Sequence, residues 1–114
     1  MINPEIRHYV MKFLDEGFTN QALRYIKKKI QEEPKNPHLW VIHGKVLTYL
    51  QMHKDAMKYF RKAILVDENC ISGWYQLGHN YFIRQNYLNA IKCFKKALSI
   101  NSKAEDIWKS LAQA

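Results

Sequence analysis

Residues 74–81 read Trp-Tyr-Gln-Leu-Gly-His-Asn-Tyr, and residues 87–98 read Tyr-Leu-Asn-Ala-Ile-Lys-Cys-Phe-Lys-Lys-Ala-Leu. Apolar residues return three and four places apart in both stretches, the pattern of an amphipathic helix. Gln85-Asn86 lies between them as a polar turn. The segment therefore reads as a helical hairpin. Its small residues have a steric reason. Gly78 on the first helix and Ala90 on the second allow the two axes to approach, and the rings of Trp74 and Phe94 fill the flanking space.

The same letters recur outward from this hairpin at a step of 34 residues. Trp40, Trp74 and Trp108 keep it, as do Gly44, Gly78 and Ala112. Leu77 and Leu111 keep it with His43 in their place one unit earlier. Ala22, Ala56 and Ala90 follow, then Ile26, Phe60 and Phe94, then Ala63 and Ala97, with Lys29 in the first unit's place. A step back from Trp40 lands on Ile6, with Tyr9, Val10 and Phe13 behind it. A fixed period of this length marks a stack of identical hairpins, each too small to bury its own apolar face. The units fall at 3–36, 37–70 and 71–104, with a lone first helix at 105–114, all within one domain, 1–114. Turns inside units are expected at Gly17-Phe18, Gln51-Met52 and Gln85-Asn86. Those between units are expected at Glu33-Pro34 with Pro37, at Asn69-Cys70 and at Asn101-Ser102.

The order Trp-x2-Leu-Gly-x2-Tyr, followed by Ala, an aromatic, Ala and often Pro, resembles the tetratricopeptide repeat. The third unit carries it best, with Trp74, Leu77, Gly78 and Tyr81 and then Ala90, Phe94 and Ala97. The first unit departs from it, with Ile6 for Trp and Val10 for Gly, and only Pro34 supplies the closing proline. The resemblance covers essentially the whole chain. It implies an all-α, right-handed α-solenoid of stacked antiparallel helix pairs. It also implies a concave groove along the first helices that holds an extended or helical peptide of a partner protein.

Composition limits the function classes. A chain of 114 residues with 47% hydrophobic and 25% charged residues is one folded unit rather than a disordered tail. No apolar run approaches the ~18 to 20 residues of a membrane span, and Met-Ile-Asn-Pro-Glu lacks the marks of a signal peptide. Cys70 and Cys93 form no Cys-x-x-Cys pair, so an intracellular setting, cytoplasmic or nuclear, is the default reading. The five histidines, His8, His38, His43, His53 and His79, have no metal-ligand spacing. His43, at a leucine position, reads as a satisfied packing residue. Phosphate-binding glycine loops and nucleophile elbows are absent from the sequence. The acidic pairs Asp15-Glu16, Glu32-Glu33, Asp67-Glu68 and Glu105-Asp106 sit at helix ends, where capping explains them. No enzyme, cofactor or metal site is expected.

Two surfaces remain as candidate sites. At ~100° per residue, unit positions 4, 7, 8 and 11 of a first helix pack inside the repeat, and positions 2, 5, 6, 9, 12 and 13 face away. Those outward positions are unusually apolar: Met11 and Leu14 beside Arg7 and His8; Val41, Ile42 and Tyr49 beside His38 and Lys45; Tyr75, Phe82 and Ile83 beside Gln76 and His79. One reading is a partner groove of Arg7, Met11, His38, Val41, Lys45, Tyr49, Tyr75, Gln76 and His79, since exposed aromatics beside apolar groups anchor interfaces. The other is burial of neighbouring first helices against each other, which accounts for Leu14, Ile42 and Phe82. One subset of the family binds chaperone C-terminal carboxylates through a clamp of two Lys, two Asn and one Arg. Those positions correspond here to Arg7, Met11, Ile42, Ser72 and Gln76, and Met11 and Ile42 cannot donate the hydrogen bonds a carboxylate requires.

The second surface is basic. Arg24, Lys27 and Lys28, then Lys58, Arg61 and Lys62, then Lys92, Lys95 and Lys96 recur at one set of positions on the second helices. They supply half of the 18 Lys and Arg behind a net charge of +8. Cations late in a helix suit its dipole, and this is where such repeats carry solvated charge. The alternative is contact with an acidic protein, RNA or lipid. Against a one-base-per-repeat RNA code, the related pentatricopeptide family uses a longer period than this one. Residues 105–114 open a further unit whose Trp108 and Ala112 lack a second helix, which reads as a piece of a longer array with end-to-end self-association as its consequence, the alternative being an end covered by a second copy or a partner helix.

Overall fold

The computed structural model describes residues 4–113. Among them the regular structure is seven helices and no strand: α1 (Pro4–Asp15), α2 (Thr19–Glu32), α3 (Pro37–Tyr49), α4 (His53–Val66), α5 (Ile71–Ile83), α6 (Tyr87–Ile100) and α7 (Glu105–Gln113). Helix starts keep the period, with α3, α5 and α7 opening at Pro37, Ile71 and Glu105. The hairpins α1–α2, α3–α4 and α5–α6 stack in chain order, α2 on α3, α4 on α5 and α6 on α7. The result is an all-α helical-repeat solenoid.

Each hairpin turn is built the same way. Gly17, Gln51 and Gln85 take φ of 80°, 66° and 62°. The following amide reaches back five residues, Phe18 to the Phe13 carbonyl at 2.7 Å, Met52 to Leu47 at 2.8 Å and Asn86 to Tyr81 at 2.9 Å. This closure satisfies carbonyls that the helix end would otherwise leave open. The turns between units are capped differently. Asn36 caps α3 by accepting from the His38 amide at 3.1 Å, with Pro37 as the first helical residue. Asp67 and Asn101, one period apart, accept side-chain bonds from the Asn69 and Lys103 amides at 3.0 and 3.1 Å.

The small residues act as the sequence suggests. A Cβ on Gly44 would stand 2.5 Å from Phe60 Cε1, and one on Gly78 would stand 2.7 Å from Phe94 Cε1. Phe60 and Phe94 are buried, as are Ala22, Ala56 and Ala90. The first unit exchanges the volumes, with Val10 at the glycine position and Ile26 at the phenylalanine position, both buried. Each tryptophan is tied to the turn before it. The indole N–H of Trp40 donates to the Pro34 carbonyl at 2.9 Å, Trp74 to Glu68 at 2.8 Å and Trp108 to Ser102 at 2.7 Å. The ring thus fixes one unit against the next as well as filling space within its own. Lys29, at the position of the buried Ala63 and Ala97, turns outward over the Tyr25 ring, 5.5 Å from its centre, and pairs with Glu32 at 3.4 Å.

His43 packs as expected but is not satisfied. Its ring stacks on Tyr59 with centroids 3.9 Å apart, and its Nδ1 is buried with no hydrogen-bond partner among the described residues. Burial, then the nearby Lys27 charge, lowers its pKa from 6.5 to about 4.

Candidate functional site

The face formed by the first helices is uneven. α3 packs directly against α5, whereas α1 and α3 stand farther apart and leave a cavity of about 530 Å³ between them. Its floor is aliphatic, made by the buried Val10 and Leu14 of α1 and Ile42 and Val46 of α3. Its rim carries Arg7, Met11, Lys45 and Tyr49. Met11 and Tyr49 are 50% and 57% exposed, large apolar surfaces left in water beside an apolar hollow. Burial, then the Arg7 charge, lowers the pKa of Lys45. Among the described residues no carboxylate lines this cavity.

The expected groove residues divide. Arg7, Met11, Lys45 and Tyr49 meet at the cavity. His38 lies apart from it, half-buried beside the α2–α3 turn in a recess with Glu33 and Asp67. Val41 is a correction. It is 4% exposed and belongs to the core cluster of Met57, Phe60, Cys70 and Leu77, because the third unit covers it. Tyr75 is half-buried rather than free. Its ring packs 5.9 Å from that of Phe94, and its hydroxyl lies 3.3 Å from Ser110 Oγ on α7. His79, on the open side of α5, stacks parallel to Tyr75 at 6.5 Å, and partial burial of its ring, followed by the His53 charge, lowers its pKa. Tyr75, Gln76 and Ser72 line a second, shallower recess of about 270 Å³ against α7, which also contains Asp106. The positions compared with the carboxylate clamp are therefore split, Arg7, Met11 and Ile42 at one hollow and Ser72 and Gln76 at the other. Leu14 and Ile42 are buried in the first core cluster, where they also floor the hollow.

One cluster had little signature in sequence. Asn80 is fully buried and donates from Nδ2 to Thr48 Oγ1 at 3.3 Å and to the Gln76 carbonyl at 3.2 Å. Its Oδ1 lies 2.8 Å from His53 Nδ1, so the side chain ties α3, α4 and α5 together. The only hint was a polar residue where the preceding unit has Val46.

All nine residues of the basic ridge are exposed. Several lie over rings: Lys62 is 5.4 Å from the Trp40 ring centre, Lys96 is 6.0 Å from that of Trp74, and Arg61 donates to the Tyr81 hydroxyl at 2.8 Å. Lys58 pairs loosely with Asp55 at 3.8 Å. Arg24, Lys27, Lys28, Lys92 and Lys95 make no ion pair among the described residues. Cys70 and Cys93 are free, buried thiols, and burial raises the pKa of both, that of Cys93 to about 11. None of the seven helices is long and apolar enough to cross a membrane.

A period of 34 residues, glycine notches filled by phenyl rings and a tryptophan bonded to each preceding turn define a helical-repeat solenoid. Tetratricopeptide repeat models match residues 37–70 and 71–103, and the chain belongs to the tetratricopeptide repeat family. Among solved structures it is similar to the first such domain of Spaghetti (RPAP3) bound to the HSP90 peptide SRMEEVD, at 17% identity and TM-score 0.83, covering 95% of this chain and 86% of that one. The second domain of human RPAP3, in complex with the HSP70 peptide SGPTIEEVD, superimposes at TM-score 0.81 with 18% identity over 95% of this chain and 90% of that one. The TPR2AB domain of yeast Sti1, in a pHSP90 complex, gives TM-score 0.84 at 17% identity over 98% of this chain but only 47% of that one. At such identities the likeness is one of fold. No curated protein matches by sequence.

Proposed function

We propose that this chain is a protein-interaction scaffold that holds an extended or helical segment of a partner protein on the face formed by α1, α3 and α5. The observation that carries this is the hollow between α1 and α3, with Met11 and Tyr49 exposed at its rim. Soluble domains leave such apolar patches in water chiefly where a partner covers them. Peptide complexes of structurally similar repeats, the RPAP3 and Sti1 domains, support the same use of the fold. Replacing Tyr49 by Ala should weaken partner binding by ~1 to 3 kcal/mol and change stability little. Tyr75→Ala should instead lower stability by roughly 1 to 3 kcal/mol, because its ring packs on Phe94. Pull-down of partners combined with thermal denaturation of both variants reads the two effects. A Tyr49→Ala chain that binds unchanged while Tyr75→Ala does not would remove the groove from the α1–α3 end.

A second reading uses the ridge on α2, α4 and α6. Its Arg24, Lys27, Lys28, Lys92 and Lys95, which make no ion pair among the described residues, favour an acidic protein or an RNA backbone. Binding to phosphates should collapse steeply between low and physiological salt, whereas groove binding should decline only modestly. A third contact surface is the outer side of α7, where the exposed Trp108 suits a second copy of the chain.

A further inference from the structure

We infer that the α1–α3 hollow is a composite pocket for an acidic segment of a partner protein, in which an aliphatic or aromatic side chain enters the cavity and an adjacent carboxylate is held by Arg7 and Lys45. The inference rests on the groove reading above and names the chemistry of its occupant. Three observations on different residues carry it.

The first is shape. The cavity holds about 530 Å³, within the ordinary size of a ligand pocket, and its floor is wholly aliphatic. It exists because α1 and α3 do not close on one another as α3 and α5 do. An apolar group entering it displaces water from surface that the chain itself leaves uncovered.

The second is charge. Arg7 and Lys45 face the same opening from opposite helices, and neither has an ion-pair partner among the described residues. Most cations of this chain are solvated on the second helices, so two on an otherwise apolar hollow are out of pattern. The Lys45 ammonium is already penalised by burial and by Arg7. A carboxylate placed between them would relieve both costs, and Arg7 offers a fork suited to bidentate contact.

The third is the rim. Tyr49 closes the far side with a ring 57% exposed, and Met11 offers a flexible thioether, half exposed, on the near side. Such groups adapt to different apolar guests rather than specifying one. Charge therefore sets the class of guest, and the cavity sets its apolar neighbour.

The test is selection from a phage-displayed random dodecapeptide library on the native chain, followed by titration of synthetic peptides with acetylated and amidated ends. Enriched peptides should place Asp or Glu directly beside Leu, Ile, Met or an aromatic residue. The double reversal Arg7→Glu/Lys45→Glu should lower their affinity at least about tenfold, equal to about 1.4 kcal/mol, while thermal stability stays level or rises. The single Arg7→Glu, at an exposed position, provides the same readout should the double variant fold poorly. Reversal at Lys92 and Lys95 should leave the peptides bound. Enriched peptides without acidic residues, or with affinity indifferent to Arg7 and Lys45 but sensitive to Tyr49 or Gln76, would overturn this inference and leave the groove standing. Hydrogen-exchange protection on α2, α4 and α6 alone would overturn both. Saturation of the hollow by dodecanoate with no peptide enriched would assign it to a fatty carboxylate. Concentration-dependent dimers that dissociate on charge reversal would assign it to a second copy. Either result overturns the peptide.

Discussion

At unit position 7, where the third unit has Leu77 and the C-terminal helix has Leu111, the second unit has His43. The substitution installs a titratable ring in the core, and its pKa falls from 6.5 to about 4. In the unfolded chain the ring protonates near 6.5, so as pH falls the unfolded state takes up the proton first. Stability is therefore complete above about pH 6.5 and is lost as pH falls from there towards 4. His43→Leu restores the residue of the other units and removes this proton uptake. Urea midpoints at pH 7 and pH 4.5 should show the variant gaining on the native chain by roughly 2 to 3 kcal/mol over that interval. An unchanged difference would mean that the ring protonates in place. The backbone supplies a second residue-scale prediction. Gln85 sits at φ 62° in the turn position that Gly17 occupies in the first unit. A left-handed backbone costs a side-chain-bearing residue ~1 to 2 kcal/mol, part of which the greater freedom of unfolded glycine offsets. Gln85→Gly should therefore raise stability by ~0.5 to 1 kcal/mol in chemical denaturation.

At the scale of elements, the notch between paired helices is a shared volume rather than a property of one residue. Units two and three fill it with Phe60 or Phe94 against glycine, and unit one fills it with Ile26 against Val10. Ile26→Phe alone should overpack and Val10→Gly alone should leave a void, each destabilising by ~1 to 3 kcal/mol. The double variant reproduces the other units and should recover most of that loss, a coupling read directly from a double-mutant cycle. Additive losses would show that α1 and α2 meet at a different separation. This compensation explains why helices and turns were legible in the sequence. Period, glycine and aromatic positions are set by contacts within one hairpin, and those contacts repeat every 34 residues. What was not legible depends on contacts between hairpins. Val41 reads as outward on a helical wheel, yet α5 and its neighbours cover it. Tyr75 reads as groove, but α7 lies within reach of its hydroxyl. The hollow at Arg7 and Lys45 depends on the spacing of α1 from α3, which no pattern within either helix encodes.

At the scale of the molecule, the stack covers each first helix on one flank with its own second helix, until the last. Gly44 is filled by Phe60 and Gly78 by Phe94, but Ala112, one period on, is exposed. Of α7, Ile107 is buried against the third unit, while Trp108 remains 52% exposed. The tryptophan is not a loose side chain. Its indole N–H is fixed on the Ser102 carbonyl at 2.7 Å, so the ring is held in place beside a small-residue notch. A rigid aromatic next to a shallow notch is self-complementary, since the ring of one copy can enter the notch of another, and a two-fold contact satisfies both at once. Such a contact costs little ordering entropy because neither ring has to be immobilised. Sedimentation velocity over a wide concentration range should therefore show reversible dimerisation of the native chain. Trp108→Glu should remain monomeric, because it places a carboxylate in the contact and removes its largest apolar group. The same variant should keep the helical content of the native monomer and lose only about 1 kcal/mol of stability, because it removes the indole bond to the Ser102 carbonyl while the ring itself is half exposed. A native chain that stays monomeric throughout would show that the exposed flank of α7 does not pair with a second copy.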